Sequence, residues 1–316
     1  MKTGNVIDRC FNTLLSQEFK HKSERVILIV AIASYILHLL LIVLVNQNII
    51  EANNSFVSSP IAAIYTPFSF ILIYEVYLLV FFLPKSISFY IGKQYEIILL
   101  IVIRKIFKDI SNIELSSQWF YIRSDLEFTY DVITSLILFL LIFFFYKNIS
   151  KRNQKSISNQ TIKRSNVLRF IRFKRTMAVV LVPVLVFLAA YSFFTWSSFM
   201  IQDYQNGILA FKNINNVFFD EFFTVLVVAD VLLLLSSLFY SDKFYKIIRN
   251  SGFVISTILI KMSFSTEGIT NNALIIGSVV FGLLILIIHN LYEKNVTQYQ
   301  FINETNHDAK TEKQST

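Results

Sequence analysis

Eight apolar runs recur along this chain, most of them about as long as a bilayer is thick, with the fourth and seventh shorter, and that recurrence limits its fold more than any other feature. A helix needs about 20 mostly apolar residues to cross a hydrocarbon core of about 30 Å. Runs bounded by polar clusters lie at Arg25–Val45, Ile61–Leu83, Ser88–Phe107, Val132–Tyr146, Met177–Trp196, Phe218–Tyr240, Gly252–Ser265 and Asn272–Leu291. They are continuous rather than alternating with period two, which argues against a transmembrane barrel. Of the 316 residues 54% are hydrophobic and 32 are Phe, more apolar than a soluble domain of this length. The pattern predicts an all-α polytopic membrane protein with about eight transmembrane helices.

Charges between the runs orient them. Segment 1–25 holds Lys2, Arg9, Lys20, Lys22 and Arg25, whereas Asn46–Pro60 holds no Lys or Arg. Lys85 follows the second run. Segment 147–175 holds ten basic residues, 197–217 only Lys212, and 241–250 holds Lys243, Lys246 and Arg249. Basic and poor segments alternate as eight spans require, which puts both termini in the cytoplasm by the positive-inside rule. A polar segment precedes the first run with no small-x-small cleavage pattern after it, so that run is expected to remain as a helix. The expected location is the plasma (inner) membrane.

The spans group as four plus four. The organisation expected is a cytoplasmic amphipathic segment at 1–24, a four-helix half at 25–146, a basic cytoplasmic linker at 147–175, a second four-helix half at 176–292 and a polar, disordered tail at 293–316. "YEVYLL" at 74–79 matches "ADVLLL" at 229–234, with Glu75 over Asp230. At the same offset of 155, Phe89 and Tyr90 fall on Phe244 and Tyr245. After a two-residue gap, Arg104 falls on Lys261. Two halves of four spans share one orientation, which implies a parallel repeat about an axis along the membrane normal. The segments ahead of each half, around Phe11 and around Phe170, are expected to lie as amphipathic helices in the inner headgroup layer.

Charges within the runs are the candidate functional residues, because an ion inside a bilayer is costly and usually faces a partner or a water-filled path. At about 1.5 Å per residue, Glu75 lies roughly 21 Å and Asp230 roughly 18 Å below the outer ends of their spans. Both are deep carboxylates at corresponding positions. Lys93 and Glu96, on the antiparallel neighbour, lie near Glu75 in height, and Lys93 is the expected partner of Glu75. Nearer the outer ends, Arg104 is matched with Asp131, and Lys261 stands at the level of Arg104. Glu75, Asp230, Lys93 and Glu96 are therefore assigned to a substrate or ion path, and Arg104, Asp131 and Lys261 to charge pairs or gating.

Other chemistries leave no trace. One cysteine, Cys10, excludes an internal disulfide framework and a cysteine-built metal site. The four histidines are scattered, and no H-E-x-x-H, nucleophile elbow, P-loop or dinucleotide fingerprint occurs. His38 is expected to be a hydrogen-bonded helix packer. No cofactor or catalytic residue is assigned, and topology accounts for the basic loop without nucleic acid. The bilayer is the partner, with anionic lipid at the basic 147–175 segment. Small-xxx-small seams look few, so close backbone approach is not expected to be the main packing device. The first functional reading is a transporter or ion-permeation protein using intramembrane carboxylates. The alternative is a non-conducting accessory, assembly or sensor subunit whose buried charges are structural clamps. An intramembrane enzyme is the reading that the missing motifs fit least.

Overall fold

The computed structural model describes residues 2–47, 49, 63, 65–110, 123–155, 164–202, 207–240 and 244–314. Among them the chain is helical without strands: α1 Lys2–Leu14, α2 Gln17–Asn46, α3 Tyr65–Phe82, α4 Ile87–Ile110, α5 Arg123–Lys155, α6 Arg164–Gln202, α7 Gly207–Tyr240, α8 Phe244–Ser263 and α9 Gly268–Gln314. Each expected span lies within or largely overlaps one of the helices α2 to α9. Among the described residues four stretches are long and apolar enough to cross a membrane: Asp8–Asn46, Asp125–Ile149, Glu221–Phe239 and Gly268–Val296. Thr66–Phe82 is a shorter apolar helix.

The helices overrun the apolar runs because a helix, once nucleated, propagates into polar sequence at little cost. α2 begins eight residues before Arg25 and is capped by Ser16, whose hydroxyl accepts the Phe19 N–H at 3.0 Å. The expected linker 147–175 is largely helix. Its beginning completes α5 and its end forms the first turns of α6, while 156–163 lie outside the described residues. The tail expected to be disordered from 293 instead continues α9 to Gln314. Most of the expected outer loop Asn46–Pro60 also lies outside the described residues.

α1 is docked on protein rather than lying free in the headgroup layer. It packs against α6. The Arg175 guanidinium stands 5.1 Å from the Phe11 ring centroid and 3.9 Å from Asp8. The Tyr77 hydroxyl donates to the Leu14 carbonyl at 2.9 Å, and Leu15 is buried in the core. Phe11 and Leu14 of this helix are partly buried against the core.

Helices adjacent in sequence pack together from α2 through α5 and again from α6 through α9. The two sets meet through α5 with α9, α4 with α8 and α9, and α3 with α6. The bundle is apolar outside, and its largely apolar interior also holds buried polar side chains. Phe139, Phe187 and Phe239 are 68%, 69% and 84% exposed, whereas Gln94, Asp131, Asp230, Arg249, Thr257 and Asn272 are buried. Exposed apolar rings together with buried polar groups fit a hydrocarbon surround.

One seam departs from expectation. Gly252 and Ser256 on α8 face α9, where Ser278 and Gly282 repeat the same i,i+4 spacing, and the Ser256 hydroxyl donates to the Ser278 carbonyl at 2.7 Å. A Cβ on Gly252 would stand 2.8 Å from an Ile285 side-chain carbon, and one on Gly282 would overlap the Tyr95 hydroxyl. Small residues thus do set the α8–α9 crossing, as they do in other membrane bundles. Tyr95 cannot retreat easily. It is fully buried, packs edge-on against Phe145 and shares a 2.8 Å hydrogen bond with Ser256. Gly282→Ala is expected to lower unfolding free energy by about 1–3 kcal/mol through overpacking. Gly277→Ala, whose Cβ would meet nothing within 4 Å, should be neutral or stabilise by up to about 1 kcal/mol through helix propensity. Thermal unfolding of both variants in detergent checks the pair.

Candidate functional site

α4 carries Lys93, Gln94, Tyr95 and Glu96 in succession, and a helix turns each residue about 100° from the last, so the four cannot share a face. Lys93 and Glu96 are one turn apart and pair with each other, Nζ to Oε2 2.6 Å. The ammonium also lies 5.3 Å from the Phe82 ring and 5.8 Å from the Phe89 ring. Glu75 of α3 sits within electrostatic reach of Glu96 and Lys93 and also of Glu24 and Lys20 from α2. The expected partner of Glu75 is therefore a neighbour, but its closest contact is Glu96. An i,i+3 pair along one helix needs less side-chain ordering than a reach across to α3. Glu24 extends the group towards the N-terminal part of α2. It accepts from the Tyr74 hydroxyl at 3.4 Å and stands 3.6 Å from exposed His21.

Gln94 points the other way. Its amide nitrogen donates to Asp230 Oδ2 at 3.0 Å, and its amide oxygen accepts from the Thr257 hydroxyl at 2.9 Å. Tyr90, one turn earlier on α4, brings its hydroxyl beside the same carboxylate. All four side chains are buried, Asp230 at 5% exposure and Gln94 at 0%. Asp230 of α7 is thus held by α4 and α8. The neighbours that hold it are neutral, and the Gln94 amide has no counterpart in the sequence reading.

In the N-terminal part of α5, Asp131 is buried and meets Lys105 Nζ at 2.9 Å and the Asn272 amide nitrogen at 2.6 Å. Its partner is Lys105 rather than the expected Arg104. One helical step directs Lys105 to α5 and leaves Arg104 buried on another side of α4. Lys261 is half-buried near the end of α8. His38 contacts the Thr66 hydroxyl at 2.6 Å, as a hydrogen-bonded packer between α2 and α3.

A further buried group lies between the N-terminal part of α8 and the middle of α9. Arg249 donates to Asn250 Oδ1 at 2.9 and 3.2 Å and approaches His289 Nε2 at 3.1 Å. His289 Nδ1 stands 3.1 Å from the Tyr245 carbonyl, which fixes the proton on Nδ1 and leaves Nε2 to accept from Arg249. Asn250 in turn donates to Ser237 of α7 at 3.2 Å. Gln94, Thr257 and Arg249 were not assigned to a site from the sequence, and Lys105 was read as a charge within its run without a partner. One signal was available for two of them. At the offset that superposes Glu75 on Asp230, Gln94 falls on Arg249.

Lys174, ahead of the apolar part of α6, is buried and donates to the Lys85 carbonyl at 2.6 Å. Burial, with a smaller push from the Arg249 charge, lowers its ammonium to about 8. In the unfolded chain a lysine titrates near its ordinary value of about 10.4. Across that window the unfolded state binds the proton that the folded state has released, so stability rises with pH. Unfolding measured against pH in detergent should show this rise, and Lys174→Met should flatten it. Among the described residues no three His, Cys, Asp or Glu side chains gather as a metal site. In comparisons with protein-family models, curated proteins and solved structures, nothing matches the chain.

Proposed function

We propose that the chain moves an ion across the plasma (inner) membrane by way of Glu75 and Asp230. In this reading it has eight spans in two similar halves of four, with both termini in the cytoplasm. The single observation that carries it is Asp230, a carboxylate sealed among helices and held by hydrogen-bonding residues from both halves. Such a group is costly to keep in a membrane, and intramembrane acids with internal partners mark ion paths and proton relays. The eight spans are supported by helices that contain or largely overlap the apolar runs. The repeat is supported by the recurring packing order and by the offset that relates Glu75 to Asp230, Tyr90 to Tyr245 and Gln94 to Arg249. The orientation rests on the basic ends of α1, α5, α6 and α8. Exposed Lys147, Arg169 and Arg172 give anionic lipid a surface at those ends.

A second reading is a non-conducting accessory, assembly or sensor subunit. The Lys105–Asp131–Asn272 group favours it, because it ties α4, α5 and α9 as a clamp would and touches neither deep acid. Purified protein in liposomes separates the two. Permeation requires ion flux that falls at least tenfold in Glu75→Gln and in Asp230→Asn while both variants keep a folded elution profile. Normal flux in both folded variants, or no flux of any ion in the unaltered protein, sinks the permeation reading. Loss of folding in both supports the clamp.

A further inference from the structure

We propose that the ion carried by way of Asp230 is a proton and not a metal cation. This rests on the permeation reading above and names its cargo. A metal cation is held by oxygen lone pairs, about six to eight of them for a large hard ion. The neighbours of Asp230 offer hydrogens instead. The Gln94 amide turns its NH2 towards Oδ2 at 3.0 Å. Its oxygen, which could serve a cation, is already taken by the Thr257 hydroxyl at 2.9 Å. Thr257 also donates to the Phe253 carbonyl at 3.1 Å, and the Tyr90 hydroxyl lies beside the carboxylate. A metal ion entering here would meet one acid among N–H and O–H groups. Around Glu75 an ammonium already holds the cation's place. Lys93 lies 2.6 Å from Glu96, and Lys20 approaches from α2.

A proton needs no such shell. The carboxylate takes it up from water reaching one side of the membrane, forms one O–H bond, and releases the same proton to water on the other side. A half-turn of the Gln94 amide fits both states at the same heavy-atom positions. With Asp230 ionised, Nε2 donates to it and Oε1 accepts from Thr257. With Asp230 protonated, Oε1 accepts the new O–H and Nε2 donates to the Thr257 oxygen. The groups facing Asp230 are Tyr90, Gln94 and Tyr95 from α4 and Thr257 from α8. Ser237, linked through Asn250 to Arg249, lies on α7 about two turns, roughly 10 Å, towards the inner end. Lys174 on α6 is felt by Arg249.

The test uses the full chain in liposomes, with proton, sodium, potassium and calcium flux measured separately. Infrared difference spectra are recorded for a pH step and for a step in each metal ion at fixed pH. The expected result is proton flux that Asp230→Asn abolishes. A carboxyl C=O band should answer the pH step, vanish in Asp230→Asn and shift in Gln94→Leu. Metal ions should leave that band unchanged. Sodium, potassium or calcium flux that Asp230→Asn removes, or a carboxyl band that answers those ions at fixed pH, overturns the proton assignment and leaves permeation standing. Absence of any carboxyl band in the pH step overturns it too. Absence of all flux removes permeation and this inference together. If Asp230→Asn does not fold, the spectra of the unaltered protein and of Gln94→Leu still decide.

Discussion

Helices that turn Phe139, Phe187 and Phe239 to hydrocarbon gain nothing from hiding other apolar side chains, since lipid is as apolar as leucine. Cohesion must come from hydrogen bonds made inside the bundle and from close fit. Both meet on α4. Through Gln94 it reaches α7 and α8, through Tyr95 it reaches α8, and through Lys105 it reaches α5. Tyr95 is also the side chain against which Gly282 of α9 must fit. The same few residues therefore set the register of most of the interior.

That arrangement gives two deep acids different surroundings on opposite sides of one helix. Glu75 shares a group of mixed charges with Lys93, Glu96, Glu24 and Lys20, connected through Glu24 to exposed His21. Asp230 is enclosed by neutral polar groups and is nearly out of reach of solvent. The two positions match in sequence, but they do not match in chemistry. An acid held by an amide and hydroxyls can change protonation without losing its hydrogen bonds. That makes Asp230 the better candidate for a group that takes up and releases a proton.

Much of the fold was legible in the sequence. Length and apolar continuity placed helices over every run, and depth along each run marked Glu75, Asp230 and Asp131 as charges needing partners. The partners were less legible. Lys105 stands where Arg104 was expected, and Lys93 bonds to Glu96 rather than to Glu75. Neighbouring positions on a helix differ by about 100° in direction, so an assignment off by one residue faces a different helix. The seam of Gly252, Ser256, Ser278 and Gly282 was passed over because small residues are common and only their facing register makes them a crossing. The docking of α1 was unseen for a related reason. Its apolar side suits a headgroup layer and a protein groove equally well.

What the sequence alone determined is the class of molecule. Runs of apolar residues of bilayer length can satisfy their backbone in lipid only as helices. Which polar side chains meet was decided by tertiary structure alone. Gln94, Asp230 and Thr257 are separated by more than 130 and by 27 positions along the chain, and no local pattern encodes their meeting. Their contact depends on the rotation of three helices about their own axes. That rotation is set by how the whole bundle packs, through the Gly282–Tyr95 fit and the Lys105–Asp131 pair, and not by any one segment.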